Sequence, residues 1–171
     1  GFESLLLRHL VPIAQLDRAF GYGPKGWGFD SSWARHLTSM ENTQEYMNEA
    51  IELAQKAALE GEVPVGAVVV FENRIIGKGY NRREATNSPS SHAEMIAIEE
   101  AAKTLNSWRL ENCDLYVTLE PCIMCSGAII QSRIRKVYFG TRDPKGGAVV
   151  TLYNILSDKR LNHQTEYEEG L

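Results

Sequence analysis

The chain has 171 residues, 43 % of them hydrophobic and 23 % charged, with a formal net charge of −4. That length supports one domain with a real core and is too short to argue for two. The acidic balance excludes a surface that is basic throughout, so any nucleic-acid contact has to be a local patch.

Residues 1–39 read differently from the rest. GFESLLLRHL at residue 1 returns as GFDSSWARHL at residue 28, with six of ten positions identical and Glu against Asp at the third. The Gly- and aromatic-rich FGYGPKGWGF between them follows neither a helical nor a strand period. GFES is what GGG TTC GAA TCC encodes, a string that looks like the T-arm of a tRNA gene, and AQLDRA likewise matches a D-arm-like string. Residues 1–39 are therefore expected to be a non-native or disordered extension ahead of a start at Met40; the intact mass of the native protein decides this. No apolar run approaches the roughly 18 residues of a membrane helix. The early SLLLRHLVPIAQL is broken by Arg8, His9 and Pro12 and lacks a small-residue cleavage site, so no signal peptide is expected.

From Met40 the pattern becomes regular. Asn42 with Glu45 predicts a capped helix start, and Met47, Ala50, Ile51, Ala54 and Ala58 form an apolar stripe that Gly61 ends. VGAVVVFE (65–72) is a β-branched run and predicts a strand buried on both faces. Asn73-Arg74 turns into a second strand, IIGKGYN (75–81). After a loop containing Pro89, SHAEMIAIEE (91–100) opens a helix to about residue 105, with Ser91 and Glu94 in the pattern of a capping box. DLYVTLE (114–120) is a third strand, and Pro121 begins a helix to about Arg133. KVYFG (136–140) is a fourth strand. VVTLYNILSD suggests a short helix, and HQTEYEEG a last strand or tail. Strands alternating with helices predict an α/β fold in three layers, α/β/α, around a mixed sheet of about five strands.

Chemistry concentrates at two helix starts. Cys122 and Cys125 lie three apart and share a face at a helix N-terminus, where the dipole and free N–H groups favour thiolates. His92 opens the other helix, also after a strand, and both helix starts point to one end of the domain. Three cysteines, two of them in a Cys-x-x-Cys, suit a metal or redox site in a reducing compartment, and the cytoplasm is the expected location. One imidazole and two thiolates supply three ligands to Zn²⁺ and leave a fourth position open, the arrangement of a catalytic rather than a structural zinc. Glu94, not needed as a ligand, is then placed to move protons for a zinc-activated water. Taken alone, His-x-Glu is more often a cap and Cys-x-x-Cys a redox pair or structural site. Cys113 reads as ordinary packing, and His163 lies in the tail. Arg82-Arg83, the run Arg133, Arg135, Lys136, and Arg142 with Lys145 are the candidate basic patches, each equally readable as solvated surface charge.

The combination H-x-E … P-C-x-x-C resembles the signature of zinc-dependent nucleobase deaminases. With GEVPVGAVVV, GYN, SHAEMIAI, LYVTLEPCIMCSGAII, SRIRKVYFG, GG at 146–147 and LNH at 161–163, residues 41–171 resemble the bacterial tRNA-specific adenosine deaminases, within the cytidine-deaminase-like superfamily. The resemblance implies a homodimer that converts the wobble adenosine in the anticodon loop of an arginine tRNA to inosine. It implies one Zn²⁺ per subunit on His92, Cys122 and Cys125, attack of zinc-bound hydroxide on C6, and Glu94 as proton shuttle. It places Asn81 and the backbone of Ala93 against the base and Asp143 near the substrate backbone. The sequence departs from the family at SPSS (88–91), where Asp-Pro-Thr-Ala is common, and at Gln164, where Arg is common. It also stops at Leu171, where the family continues into a basic helix, so a deaminase domain over 40–171 lacking that helix is expected. Three other readings remain open at this level: a deaminase of a free base or nucleotide of guanine or cytidine type, a non-catalytic RNA-binding zinc module, and a thiol redox protein.

Overall fold

A computed structural model describes residues 31–171, with side chains from residue 42 onward. The expected extension falls mostly on residues 1–30, outside the described residues. Contacts divide the chain between Ala34 and Arg35, and the second unit, Arg35–Leu171, contains every described strand. The first helix, α1, spans Ser31–Leu59. No Gly or Pro interrupts that stretch, so nothing stops the helix at Met40, and Asn42 lies inside it rather than at its cap. Its buried face is Met47, Ala50, Ala54 and Ala57, spaced three and four apart. Ile51 is 40 % exposed and Ala58 is exposed too, because each sits about a quarter-turn off that line. Gly61, at φ 80°, closes the helix in a conformation that suits glycine.

Strand β1 (Gly66–Phe71) turns through Glu72 and Asn73, both at positive φ, into β2 (Arg74–Tyr80). A one-turn helix α2 (Arg83–Thr86) and helix α3 (Ala93–Leu105) follow. Then come β3 (Asp114–Leu119), α4 (Ile123–Ser132), β4 (Lys136–Thr141) and β5 (Glu166–Glu169). The five strands form one sheet in the order β2-β1-β3-β4-β5; β1 is antiparallel to both neighbours, and β3, β4 and β5 are parallel. The expected mixed five-stranded sheet is therefore present. Alternate residues feed the two faces. Val68, Val70 and Tyr116 pack with Met47 and Ala50 of α1, while Ala67, Val69, Leu115, Val117, Val137 and Phe139 pack with α3 and α4. These are the two interfaces of a three-layer α/β/α fold.

The short helix expected over VVTLYNILSD does not form: residues 149–152 are turns and a bend, and the N–H groups of Leu152 and Ile155 bond the carbonyls of Gly147 and Ala148, five and seven residues back where a helix would reach four. Because β2 and β3 run in the same direction, the helices that follow them, α3 and α4, both begin at the same end of the sheet. Close packing fixes α3 there. Gly79 of β2 faces the backbone of Ala93 and Ala97, and Gly77 faces that of Ala97 and Ala101; any side chain at either would overlap α3. The site residues ride on those two helix starts.

Candidate active site

His92 is the N-cap of α3 and Cys122 the N-cap of α4, both in extended backbone conformation and neither with a side-chain cap hydrogen bond. An N-cap side chain ordinarily turns back to accept from the first free N–H groups. Here both turn toward each other instead. Nδ1 of His92 lies 3.7 Å from Cys122 Sγ and 3.5 Å from Cys125 Sγ, and the three donor atoms fall within 4.8 Å of one another. This corrects the capping-box reading of the sequence. The helix begins one residue later than expected, so Ser91 is not the cap, and its hydroxyl is 2.9 Å from that of Thr86. Pro121 likewise precedes the N-cap rather than occupying the first turn of α4.

The cluster is strongly polarised. Hydrogen bonding from Cys125 and from His92 holds Cys122 down at about 4, against the burial that opposes it. Cys125 is pushed far up by its bond to the Cys122 thiolate and by burial. His92 is raised by its bond to Cys122. Glu94, 4 % exposed, is raised by burial and contacts the Cys125 thiol. An imidazole and two sulfurs converging at this separation are a donor set that fits Zn²⁺, with three protein ligands and room for a fourth. The other free cysteine and the tail histidine stay apart. Cys113 is fully buried at the start of β3, and its thiol is pushed up to about 11 by burial; His163 bonds the Ile134 carbonyl at 2.9 Å.

A cleft of about 170 Å³ opens over this cluster, and Asn81, His92, Ala93, Glu94, Cys122 and Asp143 all line it. Every site residue expected from the sequence is thus at the cleft, except Cys125, which lies fully buried behind it. Asn81 is held from below: its amide donates to Glu62, which also accepts the N–H of Ala85 at 2.8 Å. Glu62 and Glu120 are the residues that sequence reasoning missed. Both are buried carboxylates, and Glu120 lines the cleft. The signal for Glu120 was its place at the end of a buried strand, directly ahead of the Pro-Cys pair, where a carboxylate needs partners.

Residues 40–141 match the model of the cytidine and deoxycytidylate deaminase zinc-binding region. The chain is 52 % identical over 132 residues to the tRNA-specific adenosine deaminase of Bacillus subtilis (strain 168), covering 77 % of this chain and 82 % of that protein. It is 50 % identical over 123 residues to the tRNA-specific adenosine deaminase of Aquifex aeolicus (strain VF5), covering 72 % and 82 %. A solved structure from a study of A-to-I editing by tRNA:A34 deaminases at the wobble position of transfer RNA is similar with a TM-score of 0.72 and 41 % identity, over 74 % of this chain and 92 % of that one. A guanine deaminase structure from Bacillus subtilis is similar with a TM-score of 0.56 and 37 % identity, over 58 % and 64 %.

Proposed function

The chain belongs to the cytidine and deoxycytidylate deaminase family, among its tRNA-specific adenosine deaminases, and on that premise we propose that it hydrolyses the wobble adenosine in the anticodon loop of an arginine tRNA to inosine and ammonia. The observation that carries the reading is the cleft itself, in which a buried carboxyl, Glu94, stands beside a three-donor metal group. His92, Cys122 and Cys125 would hold one zinc ion per subunit. Bound there, zinc supplies Lewis acidity and a water of lowered pKa.

Glu94 does the proton work. It takes a proton from the water that attacks C6, passes it to N1 of the adenine, and delivers the second proton to the amino group that leaves as ammonia. A C6–O bond forms and the C6–N6 bond breaks. Asn81 and the backbone of Ala93 hold the edge of the base, and Asp143 stands beside the adjoining substrate backbone. A base in an anticodon loop is already unstacked and can enter such a pocket at small cost.

The deaminase domain is residues 40–171, and the enzyme acts in the cytoplasm as a homodimer. Ile123 and Met124, large and exposed on α4, support a partner there. No helix among the described residues is long and apolar enough to cross a membrane. Purified protein incubated with the anticodon stem–loop of an arginine tRNA is expected to yield inosine, and with free adenosine, guanine or cytidine it is expected to yield nothing. Deamination of the free compounds alone overturns the reading in favour of a free-base enzyme.

A further inference from the structure

Glu120 is 2 % exposed, and all of the donors its carboxylate accepts come from one segment, residues 143–151. Oε1 accepts the N–H groups of Val149 at 3.1 Å, Val150 at 2.7 Å and Thr151 at 2.9 Å. Oε2 accepts the N–H of Asp143 at 3.1 Å and the hydroxyl of Thr151. The segment has no helix or strand to satisfy those groups, so the carboxylate replaces secondary structure as their partner. Backbone contacts on either side complete the clamp. Ala148 N–H donates to Pro121 O at 2.9 Å, and Cys122 pairs with Gly147 in an isolated bridge. A methyl group at Gly147 would overlap the Glu120 carboxylate, so the two meet without a gap.

We propose that Glu120 is a positioning residue for substrate binding: it locks the 143–151 segment, and with it Asp143, against the start of the metal-ligand helix. That role rests on the deaminase reading. A carboxylate is required because both of its oxygens accept. In Glu120→Gln the one remaining oxygen has three backbone N–H groups competing for it on the Oε1 side. The amide NH₂ is then turned toward Asp143, whose N–H loses its acceptor. The Thr151 hydroxyl can rotate and accept instead. The substitution therefore releases Asp143 selectively, and leaves His92, Cys122 and Cys125 with their own contacts.

The test is a double-mutant cycle on stem–loop deamination with Glu120→Gln, Asp143→Ala and both together, with zinc content measured for each. Glu120→Gln is expected to raise KM about five- to tenfold, the effect of one lost hydrogen bond, with a much smaller change in kcat and unchanged zinc content. In the Asp143→Ala background the same substitution should have no further effect on KM. Additive effects on KM, or loss of zinc, overturn the proposal, since either means Glu120 acts on the fold or on the metal helix. Should Glu120→Gln fail to fold, Thr151→Val removes one donor to Oε2 and goes through the same cycle, where coupling to Asp143 supports the proposal and additivity overturns it. Wild-type protein inactive on the stem–loop would defeat the deaminase reading itself, a result distinct from an additive cycle in an active enzyme.

Discussion

Glu94 illustrates how a residue changes meaning with its surroundings. In sequence it completes a capping box with Ser91; in the fold His92 is the N-cap, and Glu94 is buried beside the two sulfurs. Replacing it with Gln keeps the shape and removes the carboxylate that the proposed mechanism uses as proton acceptor. Stem–loop deamination by Glu94→Gln is expected to fall by about 10²–10⁴, the usual weight of a general acid–base group, while zinc content stays at the wild-type level. Retained activity in the metal-loaded variant would show that some other group moves the protons. The grouping of His92, Cys122 and Cys125 was legible because a helix start and a Cys-x-x-Cys spacing are local. Glu120 was not, because its partners lie 23 to 31 residues further along the chain. Its place ahead of the Pro-Cys pair signals that the carboxylate needs partners, and no local pattern says which they are.

Among the elements, the strands were the most readable, since β1 is a β-branched run and is buried along nearly its whole length. The start of α1 and the absent helix after Val149 were not. In the first case a cap signal at Asn42 lost to a chain with nothing to break it; in the second the chain turns too widely for a helix, with Leu152 and Ile155 bonding carbonyls five and seven residues back. The approach of β2 to α3 is the contact that sets where His92 and Glu94 stand. It depends on glycine, because an added Cβ at Gly79 would overlap the Ala93 carbonyl and come within 2.7 Å of Ala97 N. Gly79→Ala is therefore expected to destabilise the fold by about 1–3 kcal/mol, as overpacked sites do, measured by urea denaturation. A variant as stable as wild type would show that α3 can back away from the sheet, and that its close approach does not fix the site.

For the whole molecule the question is whether the metal builds the fold or only occupies it. Two apolar clusters, one on each face of a five-stranded sheet, close without any contribution from the metal ligands apart from neighbouring Ala93. Among the described residues no buried side-chain nitrogen or oxygen lacks a hydrogen-bond partner. The domain should therefore stay folded without zinc, unlike a zinc finger, whose folding energy is its metal-binding energy. Zinc binds the native state and stabilises it by linkage, about 2.7 kcal/mol at a free concentration 100-fold above Kd. For a domain of this size that corresponds to roughly 10 °C in Tm. Chelator-treated protein is expected to keep its far-UV circular dichroism and a cooperative melt, with Tm lower by about that amount, and to regain both Tm and deaminase activity when zinc is restored. A chelated protein with no melting transition would mean that the two helix starts do not hold their places without the ion, and that the metal centre is part of the core.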